Sequence, residues 1–320
     1  MASAPLRLLF FGTPEFAVPA LRVLAGSRHS VVGVVSQPDR PRGRGRKLEP
    51  TPVVAEALAR DLPVLQVDKV GDPDALAWMR ELAPDLGIVV AFGQFIPKSV
   101  RELPPHGLIN AHGSLLPRHR GAAPIQYTIL EGDAQAGVTV MRIVKEMDAG
   151  DWCLESAVDV GRNETAGELA ERLAGLAGPA LLEATDRIAA GTAEFRPQDH
   201  ARATLAPKLT REFAVLNWQE PRAAVLRRIR AATPWPGCDV ALRRSGIQFR
   251  LLGVSDGGSF EPGEHAVPGS VASAAGRLRI AALDGWVEVS RLRVPGRRET
   301  AAGEFLRGAR VPENEEVGTS

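Results

Sequence analysis

The sequence predicts an α/β protein: a Rossmann-like, doubly wound, mostly parallel sheet followed by a second, smaller β-barrel domain. Three observations carry this expectation. Short apolar runs bounded by Gly, Pro and polar residues alternate with stretches of helical period through the first 190 residues, and such alternation builds a parallel sheet covered by helices. Residues 191–207, with Pro197-Gln-Asp-His200 and Ala206-Pro207, break the periodicity and read as a linker. Beyond residue 208 come several short strands separated by glycine turns, the pattern of a small barrel.

Taken in order, Leu6 to Phe11, Val31 to Val35, Pro63 to Gln66, Asp85 to Ala91, Gly107 to Ala111 and Val138 to Ile143 read as buried strands. Phe16 to Ala25, Pro52 to Arg60 behind a Thr51 cap, Asp74 to Leu82 and Thr165 to Ala190 read as helices, and Gly121-Ala-Ala-Pro124 opens another. Gly12-Thr-Pro-Glu15 follows the first strand without the full G-x-G-x-x-G pattern, so nothing in it calls for a dinucleotide. In the second half, helical turns around Ala223 to Ala232 lead into the Thr233-Pro-Trp-Pro-Gly237 turn. The strands expected after it are Asp239 to Arg243, Ile247 to Gly253, Gly269 to Ser273, Leu278 to Ala282 and Trp286 to Leu292. The resulting domains are 1–190, a linker at 191–207, a barrel at 208–310 and a flexible acidic tail at 311–320.

Composition excludes several classes. A chain of 320 residues with 44% hydrophobic content buries two cores. Its two cysteines, Cys153 and Cys238, form no CxxC pair, which argues against a disulfide framework or a zinc site and for a reducing cytoplasm. Leu6 to Phe11 is too short for a signal-peptide core, and no apolar run reaches membrane-spanning length. No long apolar heptad demands an obligate protein partner.

The chemistry concentrates at Asn110, His112 and Asp148. Residues two apart on a strand share a face, so Asn110 and His112 point into one crevice. The loop that follows leaves the carboxyl end of a strand, where open α/β sheets bind ligands. Asp148 follows the apolar run 138–144 and is flanked by Gly150 and Asp151, which brings a carboxylate to the same edge. An amide to donate to a carbonyl oxygen, an imidazole to offset or move a proton and a carboxylate to hold it suit acyl transfer to an amine, with no metal required. The same residues admit a serine hydrolase with Ser114 as nucleophile, His112 as base and Asp148 as orienter, although no G-x-S-x-G elbow is present.

His112-Gly-Ser-Leu-Leu-Pro117, its continuation Arg118-x-Arg-Gly-Ala-Ala-Pro124, Asp148-x-Gly-Asp151 and Phe11-Gly-Thr-Pro14 resemble the 10-formyltetrahydrofolate-dependent formyltransferases. Gln37-Pro-Asp-Arg-Pro-Arg-Gly-Arg-Gly-Arg-Lys47 and the separate second domain are similar, within that family, to the members acting on methionyl-tRNA. The resemblance covers nearly all of residues 6–310. It departs at His119, where those members usually carry Trp. It implies an OB-like barrel that contributes to tRNA binding, 10-formyltetrahydrofolate as formyl donor, Ser114, Leu115, Leu116 and Pro117 as a folate-binding wall, and Asn110, His112 and Asp148 as the catalytic set. Asn110 and a protonated His112 would both donate to the oxygen of a tetrahedral intermediate, and Asp148 would hold the imidazole and collect the proton of the amine.

Net charge is only +1, but from residue 202 to 310 there are 18 Lys and Arg against 10 Asp and Glu, a footprint suited to a polyanion. Arg40, Arg42, Arg44, Arg46 and Lys47 make a basic finger punctuated by Pro41, Gly43 and Gly45. By itself such a stretch reads as a solvated charge run; the resemblance implies a loop entering the acceptor stem of initiator Met-tRNA. A related formyltransferase acting on an amino sugar nucleotide or glycinamide ribotide needs no such finger, and a non-catalytic RNA-binding module needs no such trio.

Overall fold

The computed structural model describes residues 4–42, 47–261, 264–312 and 314–318. Contacts divide the chain into two compact units: the first holds residues up to 124, 135–158 and 170–207, and the second holds 125–134, 159–169 and 208 onward.

The elements run β1 (Arg7–Gly12), α1 (Val18–Ala25), β2 (Ser30–Ser36), β3 (Arg40–Arg42), β4 (Lys47–Glu49), α2 (Pro52–Leu58), β5 (Val64–Gln66), α3 (Pro73–Glu81), β6 (Leu86–Val90), α4 (Lys98–Arg101), β7 (Leu108–His112) and β8 (Arg120–Gly121). They continue with α5 (Pro124–Glu131), β9 (Gln135–Arg142), β10 (Trp152–Asp159), α6 (Ala166–Ala189) and β11 (Leu205–Ala206). The main sheet of the first unit has the order β10-β9-β7-β6-β1-β2-β5. The pairs β1–β2, β2–β5, β1–β6 and β6–β7 are parallel, whereas β9 runs antiparallel to β7. The chain winds from β1 through β2 to β5 and then returns to build β6 and β7 on the other side of β1. The carboxyl ends of β1, β6 and β7 therefore share one edge beside the point where the winding reverses, the ligand position of such sheets.

Leu8, Leu9, Phe10 and Phe11 are all buried, as a strand covered on both faces requires. Leu9, Phe11, Val89 and Leu108 pack with Ala75 and Met79 of α3. Thr51 caps α2 by accepting from the Val54 N–H at 3.4 Å. A reciprocal pair caps α6: the Thr165 N–H donates to Glu168 at 2.8 Å while the Glu168 N–H donates to the Thr165 hydroxyl at 3.3 Å.

In the second unit α7 (Arg222–Ala232) precedes β12 (Cys238–Ala241), β13 (Gln248–Asp256), β14 (Ser270–Ala274), β15 (Arg277–Ala282), β16 (Gly285–Arg293), β17 (Glu299–Ala301), α8 (Ala302–Gly308) and β18 (Glu315–Glu316). These strands form a curled antiparallel sheet ordered β12-β13-β16-β15-β14-β18, with β17 on β16, in keeping with the expected OB-like barrel. The excursion through α5 belongs here because the Tyr127 ring packs at a tilt against Phe213, centroids 5.7 Å apart, and Arg227 donates to the Leu130 carbonyl at 3.0 Å.

The tail expected at 311–320 is a correction. Within the described residues Glu315 and Glu316 pair with Val271 and Ser270, and Val317 bridges Leu242, so the last strand joins the two edges of the curled sheet. Glu315 is fully buried, its carboxylate accepting from the N–H groups of Arg244 at 2.8 Å and Ser245 at 2.9 Å. An acidic stretch docks because each buried carboxylate oxygen meets donors that would otherwise be orphaned.

Candidate active site

β7 carries Asn110 and His112 on one face. In register, Asn110 lies beside Val89 of β6 and Met141 of β9, and His112 beside Thr139. His112 is buried and Asn110 half-buried. Among the described residues the Asn110 carboxamide makes no hydrogen bond, so its donors are available to a bound group.

Both ring nitrogens of His112 have partners. Nε2 lies 2.9 Å from the carbonyl of His119; a carbonyl only accepts, so Nε2 carries a proton. Nδ1 faces Asp148 Oδ2 at 3.6 Å. A neutral ring therefore presents an Nδ1 lone pair to the carboxylate, and a protonated ring presents an N–H. The Nε2 proton, which the sequence expectation directs at an incoming oxygen, is engaged here by the main chain.

Asp148 sits in the turn after β9 with φ +49°, a left-handed backbone that Asp tolerates better than most residues. Its Oδ2 accepts from the Gly121 N–H at 2.8 Å. Two glycines make this approach possible. A Cβ on Gly150 would collide with the Arg142 carbonyl, and Gly121, at φ +122°, leaves room for the Ala206 carbonyl 2.6 Å from where its Cβ would stand.

The loop of Ser114 to Pro117 follows β7. The Ser114 hydroxyl donates to the Arg118 carbonyl at 2.6 Å, and Thr139 Oγ1 donates to the Ser114 carbonyl at 2.7 Å while accepting from the Leu116 N–H at 3.1 Å. Ser114 is fully buried. The hydrolase alternative fails on this geometry, since the hydroxyl is engaged inside its own loop and the imidazole it would need contacts His119 and Asp148. Leu116 is buried and Leu115 packs over Gly137, so both support the loop from behind, and Pro117 is half-buried.

In the basic segment, β3 and β4 pair as an antiparallel hairpin, Arg40 with Glu49, Pro41 with Leu48 and Arg42 with Lys47; Arg44 and Arg46 lie outside the described residues. The exposed Arg40 donates to Gln37 at 2.8 Å, and Gln37 donates to the Phe92 carbonyl at 2.8 Å. The hairpin thus springs from the carboxyl ends of β2 and β6, the same edge at which β7 presents His112. An open depression of about 590 Å³ bordered by Arg80, Asp85, Ser99 and Glu102 lies at the opposite, amino-terminal edge and shares none of these residues. No group of three or more His, Cys, Asp and Glu able to hold a metal ion occurs among the described residues, and no helix among them is long and apolar enough to cross a membrane.

Sequence reasoning missed the contribution of 198–206. The His119 N–H donates to Thr204 Oγ1 at 2.9 Å, the Arg120 N–H donates to the Thr204 carbonyl at 2.9 Å, and β8 pairs with β11. The residue expected to differ, His119, is buried with φ +59° and serves His112 through its main chain.

An amide, an imidazole and a carboxylate thus lie at one edge of a doubly wound sheet, an arrangement suited to group transfer. Residues 6–185 match the formyl transferase family and residues 208–310 its C-terminal domain. The chain belongs to the formyl transferase family. A methionyl-tRNA formyltransferase of Geobacter sulfurreducens is 39% identical over 315 residues, covering 98% of each chain. That of Pseudomonas paraeruginosa is 42% identical over 307 residues, covering 95% of this chain and 96% of its own. Among solved structures, the sugar 3N-formyltransferase WlaRD, crystallised with dTDP and 5-N-formyl-THF, superposes with a TM-score of 0.65 at 16% identity, covering 92% of this chain and 99% of its own; that likeness is one of fold.

Proposed function

We propose that this chain transfers the formyl group of 10-formyltetrahydrofolate to the α-amine of methionine esterified to initiator tRNA. The observation that carries the reading is its similarity, through both domains and almost end to end, to methionyl-tRNA formyltransferases. The basic hairpin at the catalytic edge supports it, because a cationic finger beside the pocket suits a polyanionic substrate.

In the reaction the neutral amine attacks the formyl carbon and the carbonyl oxygen becomes anionic. Asn110, with free amide donors, holds that oxygen; a preorganised donor of this kind contributes on the order of 3 kcal/mol. The new C–N bond forms as the amine gives up a proton to the His112–Asp148 pair. An Nδ1 lone pair facing a carboxylate becomes an ion pair once that proton arrives. The C–N10 bond then breaks and N10 takes the proton, giving the formylated amine and tetrahydrofolate. The Ser114 to Pro117 loop forms a wall of the folate pocket through its main chain and Pro117.

The deciding assay offers the protein 10-formyltetrahydrofolate with Met-tRNA, glycinamide ribonucleotide or a dTDP-amino sugar. Formylation of Met-tRNA alone is expected. Turnover confined to either small amine would overturn the tRNA reading and leave the transfer chemistry in place.

A further inference from the structure

Gln198, in the segment expected to be a bare linker, makes the most complete polar contact near the site. It is buried, and its amide is used at both ends. Oε1 accepts from Arg120 Nε at 3.1 Å and Nη2 at 2.6 Å; Nε2 donates to the carbonyls of Asp148 and Gly150, both at 2.8 Å. The amide has only one workable orientation, since the guanidinium can only donate and the carbonyls can only accept. Arg120 Nη2 also contacts His200 Nδ1 at 3.0 Å.

These contacts clasp the two ends of the Asp148 turn. Asp148 is in the left-handed region, a conformation that persists where surrounding bonds over-determine it. The two carbonyls held by Gln198 belong to that residue and to the second one after it. The same side chain grips Arg120, whose neighbours His119 and Gly121 supply the carbonyl on His112 Nε2 and the N–H on Asp148 Oδ2. One amide thus connects the loop that orients the imidazole to the turn that aims the carboxylate.

We infer that Gln198 is a positioning residue for formyl transfer: it sets the Asp148 carboxylate against His112 Nδ1 without touching substrate. The inference rests on the catalytic pair assigned under the proposed function, but not on which amine is formylated.

The test uses two variants of nearly native size in the full-length protein. Gln198→Glu keeps an acceptor for Arg120 and loses both donors to the turn; Gln198→Met loses all four bonds. Both are expected to lower kcat about thirtyfold or more, to leave KM for folate and amine within about threefold, and to displace the pH profile of kcat, because an interaction acting on the transition state appears in kcat. NMR titration of the His112 ring, which needs no turnover, is expected to shift in both variants relative to the parent chain. If Gln198→Glu folds and retains parental kcat, pH profile and His112 titration, Gln198 serves only Arg120 and the inference is overturned; a change in KM alone overturns it equally. Should either variant unfold, the other carries the test, and should both unfold, Gln198 is a folding residue and the inference falls. A parent chain that formylates only a small amine refutes the tRNA reading, and the same comparison is then made on that amine. If the parent chain turns over no amine, the functional reading fails and the His112 titration alone decides the inference.

Discussion

Replacing Asp148 with Asn removes one charge and little else. The Asn carbonyl oxygen can still accept from the Gly121 N–H, now at 2.8 Å from Oδ2, so the loop contact survives. What goes is the carboxylate 3.6 Å from His112 Nδ1. At an effective dielectric constant of about 20, two unit charges at that distance attract by about 4–5 kcal/mol. The 16% exposure of the Asp148 side chain reduces this through solvent, leaving about 3 kcal/mol to favour the protonated ring when the amine loses its proton. That is roughly a hundredfold in kcat. The assay is steady-state formylation of Met-tRNA across pH, with folate affinity measured separately. The variant should bind folate normally, turn over roughly a hundredfold more slowly and show an altered pH profile. The double variant His112→Ala/Asp148→Asn should be scarcely slower than the worse single variant, since the two residues act as one unit. Near-parental turnover in Asp148→Asn, or additive losses in the double variant, would refute the ion-pair reasoning.

Asn110→Ala should cost at least about a hundredfold in kcat while folate still binds, because its donors act on the developing oxyanion; equal losses in folate affinity and kcat would remove it from that role. Ser114→Ala leaves the Arg118 carbonyl without its 2.6 Å donor, so it should lose about 1–3 kcal/mol of stability yet retain most of its turnover; mass spectrometry should find no formylated Ser114 in the parent chain. Glu315→Gln should lower the melting temperature at neutral pH. Burial would raise the Glu315 carboxyl, but the N–H of Arg244, the hydroxyl and N–H of Ser245 and the N–H of Glu316 outweigh it and hold the group at about 2. The native state therefore binds this proton more weakly than the unfolded chain, so the stabilisation is complete above the ordinary value of 4.5 and is lost as pH falls toward about 2; the parent and variant melting temperatures should converge over that interval. Changing Arg42, Arg44 and Arg46 together to Ala should weaken Met-tRNA binding and flatten its salt dependence without altering folate affinity; unaltered salt dependence would make the finger a solvated charge run.

What the sequence made legible follows from local periodicity. Val31 to Val35 and Leu278 to Ala282 are short apolar runs between breakers, and both fall inside strands of the structure. The alternation of Asn110 and His112 is a property of any strand, so the shared face needed no tertiary information. β10 was missed because half-exposed Trp152 and exposed Glu155 interrupt its apolar character, and α8 because seven residues carry too little period. The tail misled for a different reason: Glu315 is polar in sequence and fully buried in the fold, and only the distant amides of Arg244 and Ser245 make that burial favourable.

The linker shows the same limit at the site itself. Pro197-Gln-Asp-His200 carries breaker residues, and breakers report where regular structure stops, not what the irregular chain then touches. Gln198 reaches its partners across separations of 78 residues to Arg120 and 50 to Asp148, distances at which no spacing rule operates. Its two ends match a guanidinium and a pair of carbonyls because the fold brought them together. The candidate carboxylate was therefore readable from Asp148-x-Gly-Asp151, whereas the amide that bonds to the two carbonyls of its turn could be found only from the geometry of the turn. An irregular backbone held by a buried, fully bonded side chain is a positioned element, and at residue 198 that distinction sets a polar clasp on the Asp148 turn where the sequence offers only a connector.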